Sequence, residues 1–175
     1  MTTADAVARH ERACAGFSRV VDAAGGRWDS PSPCTEWDAR GVVEHVIGFH
    51  EVLMLRPLSV KAHRPREGTE ARWSATRDAI FTALAGDVPD DIRGLLPALT
   101  TEVLVHTWDL ARAVGGDDRL DAELCEQAWA ALPEDRSLRD SGMFGAAVPV
   151  ADDAPVQERL VAFYGRDPRW RARGA

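Results

Sequence analysis

The stretch TTEVLVHTWDLARAVGG, residues 100–116, decides the fold class predicted for this chain. Its apolar residues recur at the three- and four-residue spacing of an amphipathic helix, and the two closing glycines are typical of a helix end. Glu102 and His106 are four residues apart within this run, and Asp109 follows three residues later. Because residues four apart lie one turn above each other, these polar side chains are expected on one face at the margin of the core.

The same apolar spacing recurs along the chain and predicts a helical bundle. Long helices are expected over residues 3–24, 39–55 and 69–84, and from residue 95 or 99 to residue 114. Two short helices are expected over residues 122–132 and within residues 154–170. Asp38, Thr69 and Asp121 are of the residue types that cap helix N-termini. Without repeats or alternating strands and helices, residues 1–175 are predicted to be a single all-α domain, a four-helix bundle with additional short helices.

Composition and charge limit the partners that the chain is expected to have. Its 28 acidic residues outnumber 21 lysines and arginines, giving a net charge of −7 and no basic stripe for nucleic acid. It has no apolar run of membrane-spanning length and no signal-peptide pattern, so we expect a cytoplasmic protein that does not bind membranes. Cys14, Cys34 and Cys125 are widely spaced, which favours reduced thiols and indicates neither a disulfide framework nor a thiolate zinc site.

Two interpretations of Glu102 and His106 remain open from spacing alone. Both groups need partners in an apolar setting, either through hydrogen bonds within the core or as two ligands of a divalent metal. His45, bracketed by apolar residues, is the better third ligand, because His50 lies five positions later and about 140° away around the helix, so only one of the two is expected to face the core. Two histidines and one carboxylate would leave open metal positions, as in catalytic sites.

The other ligand-type residues are assigned elsewhere. His10 and His63 lie among charged residues and are expected on the surface. Cys34 precedes the second helix and is placed roughly 10 Å from His45 along the helix axis, which favours small packing over ligation.

Three segments carry a resemblance to a known family. PCTEWDARGVVEHVIG, residues 33–48, and TTEVLVHTWDLARAVG, residues 100–115, resemble the two signatures of the DinB-like superfamily, in its mycothiol-dependent maleylpyruvate isomerase N-terminal-domain branch. The ending FGAAVPVADDAPVQERLVAFYGRDPRW, residues 144–170, is similar to that of a single-domain metal-binding subgroup. Together these segments extend the resemblance over nearly the whole chain.

The resemblance implies a DinB-like four-helix bundle whose metal ligands are His45, Glu102 and His106. It implies zinc, with nickel or iron as alternative ions, and mycothiol as a candidate thiol cosubstrate. Asp109 is expected either to support the metal site or to pair with Arg112. Trp37 and Trp108 are expected to pack, Trp37 as a staple before the second helix. The isomerase has an additional C-terminal domain for which 175 residues leave no room, so its own reaction is not expected here.

Two functions follow as expectations. The first is a metal-dependent thiol transferase or isomerase that acts on a small electrophilic molecule, with the ion activating a thiol or water. The second is a non-catalytic metal- or ligand-binding module of regulatory or scaffold type, because His50 and Asp109 are weak candidates for a general base. The resemblance also suggests a homodimer, although no stretch of sequence indicates its interface.

Overall fold

Six α-helices and one π-helical turn make up the secondary structure of residues 3–61, 65, 68–132 and 145–172, which the computed structural model describes. The α-helices are, in chain order, α1 Thr3–Asp22, α2 Ala39–His50, α3 Thr69–Leu84, α4 Asp90–Val114, α5 Ala122–Ala130 and α6 Val156–Phe163. The π-helical turn, Glu51–Leu55, continues α2. No strand occurs among these residues, and the all-α prediction is therefore confirmed.

Helix α4 is the central element of the bundle. It packs against α1 and α2 on one part of its surface and against α5 and α6 on another, and α3 packs against α1 and α2. Most side chains in its second half are buried, including the polar His106 and Asp109. A helix that is covered on nearly all sides must pair its buried polar side chains with other protein groups. The candidate site is therefore sought where the buried polar residues of α4 find their partners.

The first helix follows its predicted stripe but ends two residues early. Phe17, Val20 and Val21 are buried, as the apolar spacing predicts. The helix stops at Asp22, before Gly25 and Gly26, whose φ angles of 59° and 80° lie in the left-handed region. Glycine adopts this region without steric cost, so the Gly-Gly pair lets the chain turn toward α2.

The second predicted helix changes character at His50. Asp38 caps its start as predicted, its carboxylate accepting a hydrogen bond from the Gly41 amide at 2.7 Å. Beyond His50 the backbone widens into a π turn, in which the Arg56 amide donates to the Glu51 carbonyl at 2.9 Å. Val52 and Leu53 are 50% and 42% exposed, which corrects their predicted place on the apolar face.

Two helix starts differ from prediction. Thr69 is the first residue of α3 rather than its cap, and Gly68 occupies the position before it. Helix α4 begins at Asp90 and continues through Pro97, where the sequence suggested a loop. Asp90 and Asp91 favour a helix N-terminus, and the burial of Ile92 and Leu96 offsets the hydrogen bond that proline cannot donate.

Two further sequence predictions concern the chain as a whole. In the described ranges, no helix is both long enough and apolar enough to span a membrane. The three cysteines are free, as their spacing predicts.

Candidate metal centre

The packing of α2 against α4 brings the three predicted ligands together. One ligand atom from each of His45, Glu102 and His106 lies within 4.8 Å of the others. Nε2 of His106 is 3.3 Å from Oε2 of Glu102, and the His45 and His106 ring centroids are 4.8 Å apart. The His106 side chain is buried, while the Glu102 side chain is 27% exposed. The cluster therefore faces the solvent on the Glu102 side.

Asp109 orients His106 from behind. Its Oδ2 lies 3.0 Å from Nδ1 of His106, and the Arg166 guanidinium donates to the same oxygen at 2.8 Å. Because a carboxylate accepts hydrogen bonds, Nδ1 of His106 carries a proton and Nε2 points toward Glu102. The predicted supporting role of Asp109 thus agrees with its position, but the suggested pairing with Arg112 is wrong.

Arg112 instead belongs to a neighbouring group at the end of α4. Its guanidinium forms an ion pair with Asp118 at 2.7 Å and lies over the Trp108 ring, 5.0 Å from the ring centroid. Trp108 is buried, as its predicted packing role requires. The arginine that pairs with Asp109 is instead Arg166, which follows α6 in the chain.

The charges of the site are distributed unevenly over its ligands. Burial, and after it the neighbouring His106, lower the pKa of His45 to about 4, so the His45 imidazole is neutral at pH 7. Burial also opposes charge on His106, but hydrogen bonds to Asp109 and Glu102 outweigh that effect and raise the pKa of His106. Burial opposes ionisation of Asp109, yet His106 and Arg166 lower the pKa of that carboxyl. These side chains by themselves thus favour a positive charge on His106 beside Glu102.

Aromatic rings form one wall of the site. Trp37 stacks on His45 with ring centroids 4.2 Å apart, and Phe49 meets the same imidazole edge-on at 5.6 Å. The loop before α2 fixes Trp37, because the Ser32 hydroxyl donates to the Trp37 carbonyl at 2.7 Å. Trp37 therefore lines the ligand cluster, a contact beyond its predicted role as a staple.

Cys34 is not among the grouped ligand residues. It is half-buried and does not join a potential metal-binding group in the described ranges, in agreement with its predicted exclusion as a ligand. Burial raises the pKa of the Cys34 thiol, so it is not an activated nucleophile in this setting.

Arg166 is the site residue that sequence reasoning missed. Gly165, with φ of 83°, lies against Gly145, and a Cβ on Gly165 would come within 3.0 Å of the Gly145 backbone. This close approach directs the following residue inward, and the Arg166 guanidinium also donates to the Tyr164 carbonyl at 2.7 Å. In the sequence FYGRDPRW, the glycine directly before Arg166 indicates an unusual backbone conformation at this point. Spacing along the chain does not, however, indicate that Arg166 pairs with Asp109.

Two histidine assignments are corrected by the structure. His10, predicted on the surface, is fully buried, and His50 is fully buried as well. Their Nε2 atoms are 3.0 Å apart, because α2 is covered on two sides and its His45 and His50 faces both point into protein. His10 also lies one turn after Ala6 and one turn before Cys14 on the buried stripe of α1. This spacing indicates burial, although the residues next to His10 in sequence are charged. His63 lies outside the described residues.

Replacing Gly41 by alanine is expected to disturb the aromatic wall. The new Cβ would lie 2.8 Å from the Trp37 Cβ and 3.2 Å from its Cγ, so Trp37 must shift off His45. We expect the free energy of unfolding to fall by about 1–3 kcal/mol, as for other overpacked sites, measured by urea denaturation.

Gly48→Ala is the matched control on the same helix. A Cβ at Gly48 meets no atom within 4 Å, and alanine in a helix interior is favoured by about 0.5–1 kcal/mol. Opposite signs for the two variants are expected, whereas equal effects would show that Trp37 does not depend on Gly41.

Fold and donor groups together define an all-helical protein with a histidine–glutamate–histidine group that could hold a metal ion. The chain is 31% identical to the uncharacterized proteins MT0763 and Rv0738 from two strains of Mycobacterium tuberculosis, over alignments of 191 positions that cover 94% of this chain and 100% of each relative. It belongs to the same family as these proteins. No family model matches the chain, and no solved structure matches it. Membership of the DinB-like superfamily stays a prediction.

Proposed function

We propose that this protein is a metal-dependent enzyme that joins a small thiol to an electrophilic small molecule or isomerises such a molecule with the help of a thiol. His45, Glu102 and His106 would hold the divalent ion. The observation that carries the proposal is the orientation of His106, whose Nδ1 is 3.0 Å from Asp109 while its Nε2 faces Glu102. A carboxylate that fixes the outer nitrogen of a ligating histidine is a recurrent support of metal sites.

The donor set fits such an ion. Two imidazoles and one carboxylate are among the ligand sets of catalytic zinc, which leave a position for an exogenous molecule. Glu102 is partly exposed, so a molecule from solvent can approach the ligand cluster on this side. Zinc is the proposed ion, and nickel or iron accept the same donors.

A bound divalent ion supplies positive charge that lowers the pKa of a thiol or a water molecule beside it. The chain provides the surroundings for that chemistry. Trp37 and Phe49 cover part of the His45 imidazole with apolar rings. Burial and the nearby Glu102 carboxylate raise the pKa of Tyr164 to about 12, so its hydroxyl keeps its proton at pH 7. Tyr164 is therefore suited to hydrogen bonding and not to acting as a base.

The residues also restrict which group can take up a proton. Asp109 is engaged by both His106 and Arg166, so its carboxylate holds the ligand in place and is not directed toward a substrate. Glu102 combines ligation with solvent access, which makes it the candidate proton acceptor for an incoming thiol. Oε2 of Glu102 lies 3.3 Å from His106 and would face the ion, so the proton would go to the other carboxylate oxygen.

Cobalt-substituted protein provides the test. Mycothiol added to the cobalt form should change the visible absorption of the ion with a stoichiometry of one thiol per chain, and mycothiol should then be consumed with 1-chloro-2,4-dinitrobenzene as electrophile. Glu102→Gln keeps the shape of the side chain and should abolish turnover. Glu126→Gln alters an exposed carboxylate on α5 and should leave both readouts unchanged.

The alternative function predicts a different pattern. A regulatory or scaffold module would bind cobalt with the same three residues, yet mycothiol would neither alter the spectrum nor be consumed. That result would overturn the enzymatic proposal and favour the non-catalytic module. Absence of bound cobalt in wild-type protein would overturn both.

A further inference from the structure

A second group of ligand-type side chains lies inside the bundle. His10 and Cys14 are one turn apart on α1, His50 ends α2, and all three are fully buried. Nε2 of His10 is 3.0 Å from Nε2 of His50 and 3.7 Å from Sγ of Cys14. One ligand atom of each residue lies within 4.8 Å of the others. This group, called the inner cluster below, shares no residue with the site of the proposed function.

Hydrogen bonds on the far side of each imidazole determine which nitrogens face one another. Nδ1 of His50 lies 2.7 Å from the Val46 carbonyl, which only accepts, so this nitrogen carries the proton. Nδ1 of His10 lies 3.1 Å from the Thr100 hydroxyl oxygen, and that hydroxyl donates its own proton to the Leu96 carbonyl at 2.7 Å. The His10 proton is therefore on Nδ1 too. Both neutral rings direct an Nε2 lone pair into the inner cluster.

Two lone pairs 3.0 Å apart in a dry interior repel unless a cation lies between them. The Cys14 thiol can donate weakly to Nε2 of His10 at 3.7 Å, but this leaves no proton between the two rings. A hydrogen bond from His10 to His50 requires the Thr100 hydroxyl to turn its proton toward Nδ1 of His10. That rotation leaves the Thr100 oxygen 2.7 Å from the Leu96 carbonyl with no proton between them, and so moves the repulsion without removing it. A cation bound by His10 and His50 relieves both contacts.

The separations match those imposed by a small soft cation. With metal–nitrogen bonds of about 2.0–2.1 Å and a metal–sulfur bond of about 2.3 Å, tetrahedral angles place two nitrogens roughly 3.3 Å apart and a nitrogen and a sulfur roughly 3.6 Å apart. The corresponding distances in the inner cluster are 3.0 Å and 3.7 Å. Both distances from His10 thus lie within a few tenths of an ångström of these values, and the ligand atoms of Cys14 and His50 are within 4.8 Å of each other.

We propose that His10, Cys14 and His50 form a buried binding site for a soft d¹⁰ cation, with Cu(I) as its preferred occupant. Binding releases the thiol proton of Cys14 to solvent and forms a sulfur–metal bond. Two neutral imidazoles and one thiolate carry a single negative charge, so Cu(I) gives a neutral complex, whereas Zn(II) leaves a positive charge in an apolar interior. Thiolate and imidazole donors suit both ions, and charge therefore decides between them.

Anaerobic copper loading tests the proposal. Cu(I) is supplied as its bicinchoninate complex to the folded protein and, because every ligand is buried, also during refolding from urea. Wild-type protein should retain one Cu(I) per chain with one sulfur ligand in the copper X-ray absorption spectrum. Cys14→Ala should bind Cu(I) more than 100-fold more weakly in competition with bicinchoninate, roughly the loss expected for a ligand and not for a remote residue.

Cys125→Ala is the matched control, because Cys125 is an equally buried thiol on α5 outside the inner cluster. It should bind copper as wild type does. Circular dichroism checks the fold of both variants, and if Cys14→Ala does not fold, the ligand count in wild-type protein decides alone. Copper without a sulfur ligand, or equal affinities in the two variants, would overturn the site. Displacement of Cu(I) by Zn(II) at these ligands would overturn the choice of ion.

Discussion

An Asp109→Asn variant is expected to have a free energy of unfolding about 3–5 kcal/mol below that of wild type, the usual cost of breaking a buried ion pair. Asp109 is fully buried and accepts from Arg166 at 2.8 Å and from His106 at 3.0 Å. Asparagine keeps the volume but removes the charge, which leaves the Arg166 guanidinium in the interior without its counterion. Urea denaturation of metal-free protein measures the effect.

Asp29→Asn is the control for this experiment. Asp29 also pairs with an arginine, Arg40 at 3.1 Å, but its side chain is 90% exposed. Exposed pairs contribute about 0–1 kcal/mol, so Asp29→Asn should be nearly neutral. If both aspartate variants lost the same stability, the buried pair at Asp109 would not have the importance assigned to it.

The second large effect is expected at the ligand cluster itself. His106→Ala should weaken binding of the divalent ion by more than 100-fold, measured by competition with a chromophoric chelator. Asp109 contacts the ligand His106 and would not contact the ion, so Asp109→Asn should weaken binding by about 10–100-fold, the range found for residues that support a ligand. The order of the two variants tests whether Asp109 acts through His106.

Trp108→Phe provides the comparison on the same helix. Trp108 is buried two residues beyond His106, and its ring contacts the Arg112 guanidinium. Its replacement should leave metal affinity unchanged while altering packing. Wild-type affinity in His106→Ala would remove His106 from the ligand set.

Local spacing explains why the grouping of His45, Glu102 and His106 could be predicted from sequence. Glu102 and His106 are fixed relative to each other by one turn of helix, and the apolar neighbours of His45 indicate that its side chain faces protein. The metal assignment itself remains a prediction. What the structure adds is the geometry that brings α2 and α4 together.

The remaining site residues depend on contacts that spacing does not encode. Arg166 reaches Asp109 over 57 positions of sequence through the approach of Gly145 and Gly165. His10 is buried because α1 packs against both α3 and α4, so its flanking charges were misleading. Helix α4 likewise starts earlier than predicted because its buried side chains outweigh the presence of Pro97. Each miss involves tertiary packing that overrides a local pattern.

The π turn after His50 has an evolutionary consequence. Its hydrogen bond from Arg56 to Glu51 encloses one residue more than an α-helical turn does. Loss of a single residue between His50 and Pro57 would therefore restore a regular α-helix. Different residues would then occupy the exposed positions that Val52 and Leu53 now hold. His45 and His50 precede the turn and would keep their places. A homologue with a one-residue gap at this point should thus have an α-helical turn in place of the π turn, with both histidines still aligned.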